Sequence, residues 1–226
     1  AMCNKCQTEY RRPEDRRLHA EANCCPKCGP QLSLLDARGE PIAGDVITNA
    51  FKLLKAGKIV AIKGPGGFHL ACDAHNASAV ALMRERKDRH IKPFPVMLAN
   101  ALSATAYVQL SVGEPGLLNL PERPIILLRK RSGCDAALPG VAPELAWLGV
   151  VLPFSPIHYL LFHEAAGRPS GTDWLDKTQS FALLMSSANP SREPLAIENL
   201  DVLQRLSGIA DAFLMHDCDI VTRCDD

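Results

Sequence analysis

The sequence lacks a net charge: its 25 basic and 25 acidic residues cancel. Without a global field the chain falls outside the general nucleic-acid and membrane-surface binders, and any anion site must be local. It also lacks a long apolar run. Stretches such as ITNAFKLL and WLGVVLPF are far shorter than the roughly 20 residues needed to cross a bilayer, and no charged n-region precedes an apolar segment. These absences point to a soluble, unexported protein of the cytoplasm with no membrane partner. Nucleotide-binding signatures of the Walker A and GxGxxG kind are missing too. HEAAG, from His163, carries Gly167 where a zincin needs its second histidine, so no catalytic metal motif stands there. Repeats, heptads and low-complexity tracts are absent as well.

What is present begins with size. At 226 residues and 47% hydrophobic content the chain can bury one medium core and carry a small appendage. Nine cysteines is an odd number, and four lie in two CxxC pairs. Without an export signal that pattern favours metal over disulfides. Cys3-x2-Cys6, then 18 residues, then Cys25-x2-Cys28 is the two-knuckle spacing of a tetrahedral zinc site. A redox CxxC belongs at a βα junction, whereas both pairs here lie in Arg/Pro-rich sequence. Cys24 and His19 are substitute ligands of lower rank. Cys72, Cys134, Cys218 and Cys224 are read as buried or incidental thiols. The segment Cys3–Leu35 shows no sustained helical or strand period, so metal must replace a core there.

From about Ile42 the pattern changes. DVITNAFKLLKAG places Val46, Ile47, Ala50, Phe51, Leu53 and Leu54 on one helical face, with Asp45 as N-cap and Gly57 just past the end. KIVAIKG, GGFHLACDA, FPVMLA, PIILLRK, LGVVLP and FALLMSS read as strands. ASAVALMRERK, SPIHYLLFHEAA and IENLDVLQRLSG read as helices. Alternation of this kind predicts a layered α/β or α+β domain, with Asp36–Pro41 as linker and an irregular connection from Gly167 to Ser180. The division expected is a finger over 1–36 and a larger domain over 42–226. The opening Ala-Met and the stop at Asp226 lead to the expectation of a piece excised from a longer protein.

Two features carry the chemistry. Arg84, Arg86, Lys87, Arg89, His90 and Lys92 crowd into nine residues, and then Pro93 forces an extended chain. Charge runs are usually solvated helix faces, but Lys87, Arg89 and Lys92 fall where the helix ends. LLMSSANP drives an apolar strand into Ser186, Ser187 and Asn189, and ligands of α/β sheets gather at such carboxyl ends. An ordinary strand-to-turn transition remains the competing reading. KGPGGFH adds Gly64, Gly66 and Gly67 between two strands, a tight turn or a place of close backbone approach.

Lys87-x-Arg89 followed by Lys92-Pro93 and an apolar strand, with Ser187-x-Asn189 about a hundred residues later, resembles the YrdC family of ATP-dependent carbamoyl-adenylate formers. AIKGPGGFHLACDA and IADAFLMHDCDIVTRCDD, together with the cysteine block, resemble more specifically the HypF family of hydrogenase-maturation carbamoyltransferases. The resemblance implies an α/β fold, a YrdC-like twisted open sheet with flanking helices, behind a small four-cysteine zinc finger. It implies ATP and Mg2+ as nucleotide and counter-ion, structural Zn2+, and carbamate derived from carbamoyl phosphate as substrate. It also implies acylphosphatase and C-terminal nucleotide-binding domains elsewhere in the protein, and HypE as the acceptor partner. Lys87, Arg89, Ser187 and Asn189 become the expected catalytic residues, with Lys92, Gly66, Gly67, Phe68 and Arg223 as further ligand contacts. Arg84, Arg86 and His90 are then solvated neighbours. Threonylcarbamoyl-adenylate formers carry a different segment where GGFHL stands, so carbamate and not threonine is expected. Cys218 stands where the HypF family usually shows arginine, which removes a cation from that loop. Double-stranded RNA binding, the alternative, is disfavoured by the neutral charge.

Overall fold

The computed structural model describes residues 2–89, 91–189 and 196–224. Eight strands form one mixed sheet: β1 (Leu32–Asp36), β2 (Val60–Lys63), β3 (Phe68–Asp73), β4 (Val96–Leu98), β5 (Ile126–Arg129), β6 (Trp147–Val151), β7 (Ala182–Ser187) and β8 (Ala212–His216). Their spatial order is β1-β8-β2-β3-β7-β4-β6-β5. Both faces are covered, which is why strands such as VAIK are buried at every position.

One face carries α2 (Val46–Lys55) and α7 (Pro156–Ala165), whose Ile47, Ala50, Leu54, Leu161 and Phe162 pack on Val60, Ile62, Leu183 and Leu214. The other carries α3 (Ala77–Arg86), the short α4 (Ala101–Ala104), α5 (Glu114–Leu118) and α6 (Cys134–Ala137), and α8 (Asn199–Arg205) over Ala61, Leu70, Leu184 and Phe213. The central strands β2, β4 and β7 divide their side chains between the two cores by simple alternation.

Local chemistry sets the helix ends. Asp45 caps α2, its carboxylate accepting from Thr48 N at 2.8 Å, and Gly57 follows the helix at φ +79°. Asn76 caps α3 through Ala79 N at 3.0 Å, and Pro156 occupies the first turn of α7. The expected strands and helices all form, with shorter bounds except that β6 begins one residue earlier than LGVVLP, at Trp147.

Several elements go beyond the periodicity, β8 and the short α4, α5 and α6 among them. Helix α1 (Asn4–Arg11) arises within the cysteine block, and its single buried residue is Cys6. Strand β1 pairs antiparallel with β8, Leu34 opposite Leu214, so the chain after the cysteines joins the main sheet. Residues 36–41 make a tight turn, with Asp36 Oδ1 accepting from Arg38 N and Glu40 N at 2.8 and 2.9 Å. The Gly167–Ser180 connection contains a 3-10 helix at Asp173–Asp176.

Candidate functional site

The cysteine cluster closes on itself. Cys3, Cys6, Cys25 and Cys28 bring four sulfurs within 4.8 Å of one another. The Cys3–Cys25, Cys25–Cys28 and Cys6–Cys28 Sγ separations are 3.7, 3.8 and 3.6 Å. Four ligands at a Zn–S distance of about 2.3 Å define a tetrahedron of about 3.8 Å edge, so the donor set fits zinc. Backbone hydrogen bonds from Cys3 and Cys25 draw the Cys28 thiol down to about 6, and those from Lys27 and Cys28 lower Cys25. Burial pushes Cys6 up. A cation among them would convert all four to thiolates. Cys24 and His19 stand outside the cluster: Cys24 is exposed, and the His19 ring packs 5.5 Å from Tyr10.

The second site forms where α3 meets the end of β7. Lys87 is the C-cap of α3, Asp88 turns left-handed at φ +46°, and Arg89 N returns to Arg84 O at 3.0 Å. This is a Schellman closure with Asp in the place that glycine usually takes. It turns the buried Lys87 ammonium onto the Ser187 carbonyl at 3.0 Å, the Asn189 carbonyl, and Asn189 Oδ1 at 3.4 Å. Ser187 Oγ donates to the same Asn189 Oδ1 at 2.7 Å. Three of the expected residues, a hundred positions apart in sequence, thus share one network.

Arg89 and Lys92 stand beside it. Both line a cavity of about 230 Å³ with Ser186, Ser187, His69 and Phe154. The Arg89 guanidinium donates to Pro93 O and lies 4.5 Å from the Phe94 ring centroid. Burial lowers its pKa from the ordinary value. Arg84 and Arg86 are not solvated neighbours. Arg84 donates to Gly140 O at 2.7 Å, Arg89 O at 2.8 Å and Val141 O at 3.0 Å, and also stacks on Phe94. Arg86 reaches Ile209 O and Asp211. Both fix the basic segment to the fold. His90 lies outside the described residues.

The glycine turn is occupied by the chain itself. A Cβ on Gly66 would meet Cys224 Cβ at 2.6 Å and Cys224 O at 2.9 Å, and Cys224 N donates to Gly66 O. Gly67 accepts from Gly64 N, and Phe68 is fully buried. Arg223 is exposed beside this turn. The loop after His216 does hold a cation despite Cys218. Buried Lys63 donates to His216 O at 3.1 Å and Cys218 O at 2.7 Å, and burial lowers its pKa.

Residues 52–226 match the Sua5/YciO/YrdC family model, described as telomere recombination. The chain belongs to the Sua5/YciO/YrdC family. Residues 2–35 match the HypF finger, the family that this segment resembles. Similar proteins include "Carbamoyltransferase HypF2" of Cupriavidus necator, 58% identical over 196 residues, covering 86% of this chain and 24% of that protein. "Carbamoyltransferase HypF" of Rhodobacter capsulatus is 44% identical over the whole chain and 28% of its own length. A crystal structure of full-length HypF in a phosphate- and nucleotide-bound form superposes with a TM-score of 0.86 at 44% identity, covering 100% of this chain and 28% of that one. The chain therefore spans about a quarter of the length of these relatives.

Within this Sua5/YciO/YrdC-type sheet, three residues had no sequence signal as site components. Lys63 ends β2, and only its two carbonyl acceptors reveal its part. His69 stands opposite Ser187 in the β3–β7 pair, so both share a face. His158 is fully buried on α7, neither ring nitrogen is hydrogen-bonded among the described residues, and its ring meets Phe154 edge-on at 4.5 Å. Burial, aided by nearby His69, pulls its pKa down to about 3, so it is neutral in the folded chain.

Proposed function

We propose that this chain forms carbamoyl-adenylate from ATP and carbamate as part of a hydrogenase-maturation carbamoyltransferase. The observation that carries this reading is the convergence of Lys87, Arg89, Lys92, Ser187 and Asn189 at one end of the sheet, beside a small cavity. In the reaction a carbamate oxygen attacks the α-phosphorus of ATP. The bond from that phosphorus to its bridging oxygen breaks, and pyrophosphate leaves with the electron pair. Both reactants are anionic, so cations must stand at the meeting point, and charge-assisted hydrogen bonds of roughly 1.5–3 kcal/mol each supply the attraction.

In this scheme Arg89 and Lys92 hold carbamate and the α-phosphate. Lys87 orders the Ser187–Asn189 corner and adds its charge there. Gly66, Gly67 and Phe68 form the turn that seats the 223–224 segment, and Arg223, exposed at its side, reaches the phosphates. The triphosphate enters as its Mg2+ complex. Cys3, Cys6, Cys25 and Cys28 hold structural Zn2+, which supplies the folding energy that the cysteine block ahead of β1 lacks, while 42–226, with β1 added to its sheet, is the adenylate-forming unit. The nucleotide-bound form of the similar full-length HypF supports a nucleotide here.

The wider scheme follows the resemblance. Acylphosphatase and C-terminal nucleotide-binding domains supply carbamate from carbamoyl phosphate and pass the carbamoyl group to a cysteine of HypE, in the cytoplasm. The reading is tested by pyrophosphate release from Mg-ATP upon addition of fresh ammonium carbamate. Release that depends on carbamate is expected, and release that ignores it refutes the proposal.

A further inference from the structure

A carbamate ion presents two different ends. Its carboxylate suits Arg89 and Lys92, but its amino group carries N–H donors that no cation can accept. A pocket that selects carbamate from other small carboxylates therefore needs an acceptor aimed at that amino group. Among the described residues no carboxylate side chain lines the cavity. The Ser187 hydroxyl donates to Asn189 and keeps acceptor lone pairs at that corner, while strand alternation turns the Ser186 side chain to the opposite face from Ser187. The imidazole of His69 also lines the cavity, directly across the sheet from Ser187, and it can present an acceptor nitrogen.

The fold fixes this ring from two sides. Phe154, which also lines the cavity, meets it edge-on with centroids 5.3 Å apart and planes at 66°. Phe154 is in turn backed by the buried ring of His158. Behind it, a Cβ on Gly64 would come within 3.2 Å of His69 Nδ1 and 3.0 Å of Gly67 O, so that glycine leaves the space the ring requires. An aromatic support and a glycine clearance at one histidine are more than a core side chain needs.

We propose that His69 is a specificity-determining residue, whose imidazole accepts a hydrogen bond from the amino group of carbamate. The inference rests on the carbamate-adenylating function proposed above. It assigns the apolar wall around Phe154 to the amino end of the substrate and the Arg89–Lys92 side to the carboxylate end.

Acetate is the discriminating probe, since it keeps the carboxylate and the size but has no N–H. In carbamate-dependent pyrophosphate release, His69→Leu should raise the KM for carbamate about tenfold, the loss of one net hydrogen bond. The inhibition constant of acetate should stay within about twofold, and His69→Gln, which restores an acceptor oxygen, should lie between Leu and wild type. Zinc content and the unfolding midpoint of each variant confirm folding. If the carbamate and acetate constants shift by the same factor, His69 merely supports the cavity and the inference is wrong. It is equally wrong if neither shifts. If the wild-type chain shows no carbamate-dependent release at all, the proposed function itself fails and takes this inference with it.

Discussion

Replacing Lys87 with methionine separates the structural and chemical parts of the site. Methionine keeps most of the apolar stem and deletes the ammonium, which donates to the carbonyls of Ser187 and Asn189 from a nearly buried position. A charge-assisted bond contributes roughly 1.5–3 kcal/mol. Two such bonds, less the desolvation of the ammonium that the variant no longer bears, leave an expected net loss of about 2–4 kcal/mol. Urea unfolding should show this as a lower midpoint at unchanged slope. Under conditions where the variant is still folded, carbamate-dependent pyrophosphate release should fall by about 10²–10³, the usual cost of one fixed donor or charge at such a site. Lys87→Arg should recover part of the stability and little of the rate, because a planar fork cannot reproduce three donors converging on one corner. A midpoint unchanged in Lys87→Met would mean that the ammonium does not hold the β7 end. A reduced midpoint with undiminished pyrophosphate release would confine Lys87 to a structural part.

Three other outcomes follow from the geometry. Cys25→Ser should lose the bound zinc, about one equivalent per chain by metal analysis, while Cys24→Ser keeps it; retention in Cys25→Ser would overturn the four-cysteine assignment. Gly66→Ala forces a Cβ against Cys224 backbone and side-chain atoms at 2.6–3.1 Å. It should cost about 1–3 kcal/mol and expose the 220–224 segment to protease, and unaltered cleavage would show that this contact is dispensable. His158 governs an acid limb of stability. Its folded pKa of about 3 lies below the ordinary 6.5, so below pH 6.5 the unfolded chain takes up a proton that the folded chain refuses. Stability is then lost as pH falls from about 6.5 toward 3, by about 2 kcal/mol between pH 6.5 and 4.5. His158→Phe should flatten that limb, and an unchanged slope would contradict a neutral buried histidine.

The spacing of the four cysteines made the metal cluster legible, because a tetrahedral ion imposes its geometry on the sequence. Lys87, Ser187 and Asn189 were legible as motifs, and the network that joins them adds the reason: the helix C-cap turns one onto the other two. What stayed hidden involves backbone acceptors. Arg84 resembled a solvated charge because the carbonyls of Gly140, Val141 and Arg89 that it binds have no side-chain signature. Lys63 escaped notice for the same reason, and with it the cation beside the Cys218 carbonyl. Strand β8 was hidden by its chemistry, since five consecutive apolar-dominated residues buried on both faces show no period of two. Helix α1 buries only Cys6, so no hydrophobic stripe announced it. His69 lay within a strand correctly read, but its place across from Ser187 is set by β3–β7 register, which links residues more than a hundred positions apart.

The most direct measurement is mass-spectrometric detection of the product. The chain is mixed with ATP, Mg2+ and fresh ammonium carbamate, and the mixture is searched for the mixed anhydride of carbamate and AMP. The expected result is an adduct that forms with carbamate, is absent without it, and is lost in Lys87→Ala. Adduct formation unaffected by Lys87→Ala, or its absence from wild-type chain shown to be folded and zinc-loaded, would contradict the proposal that this corner of the sheet is where carbamate meets ATP.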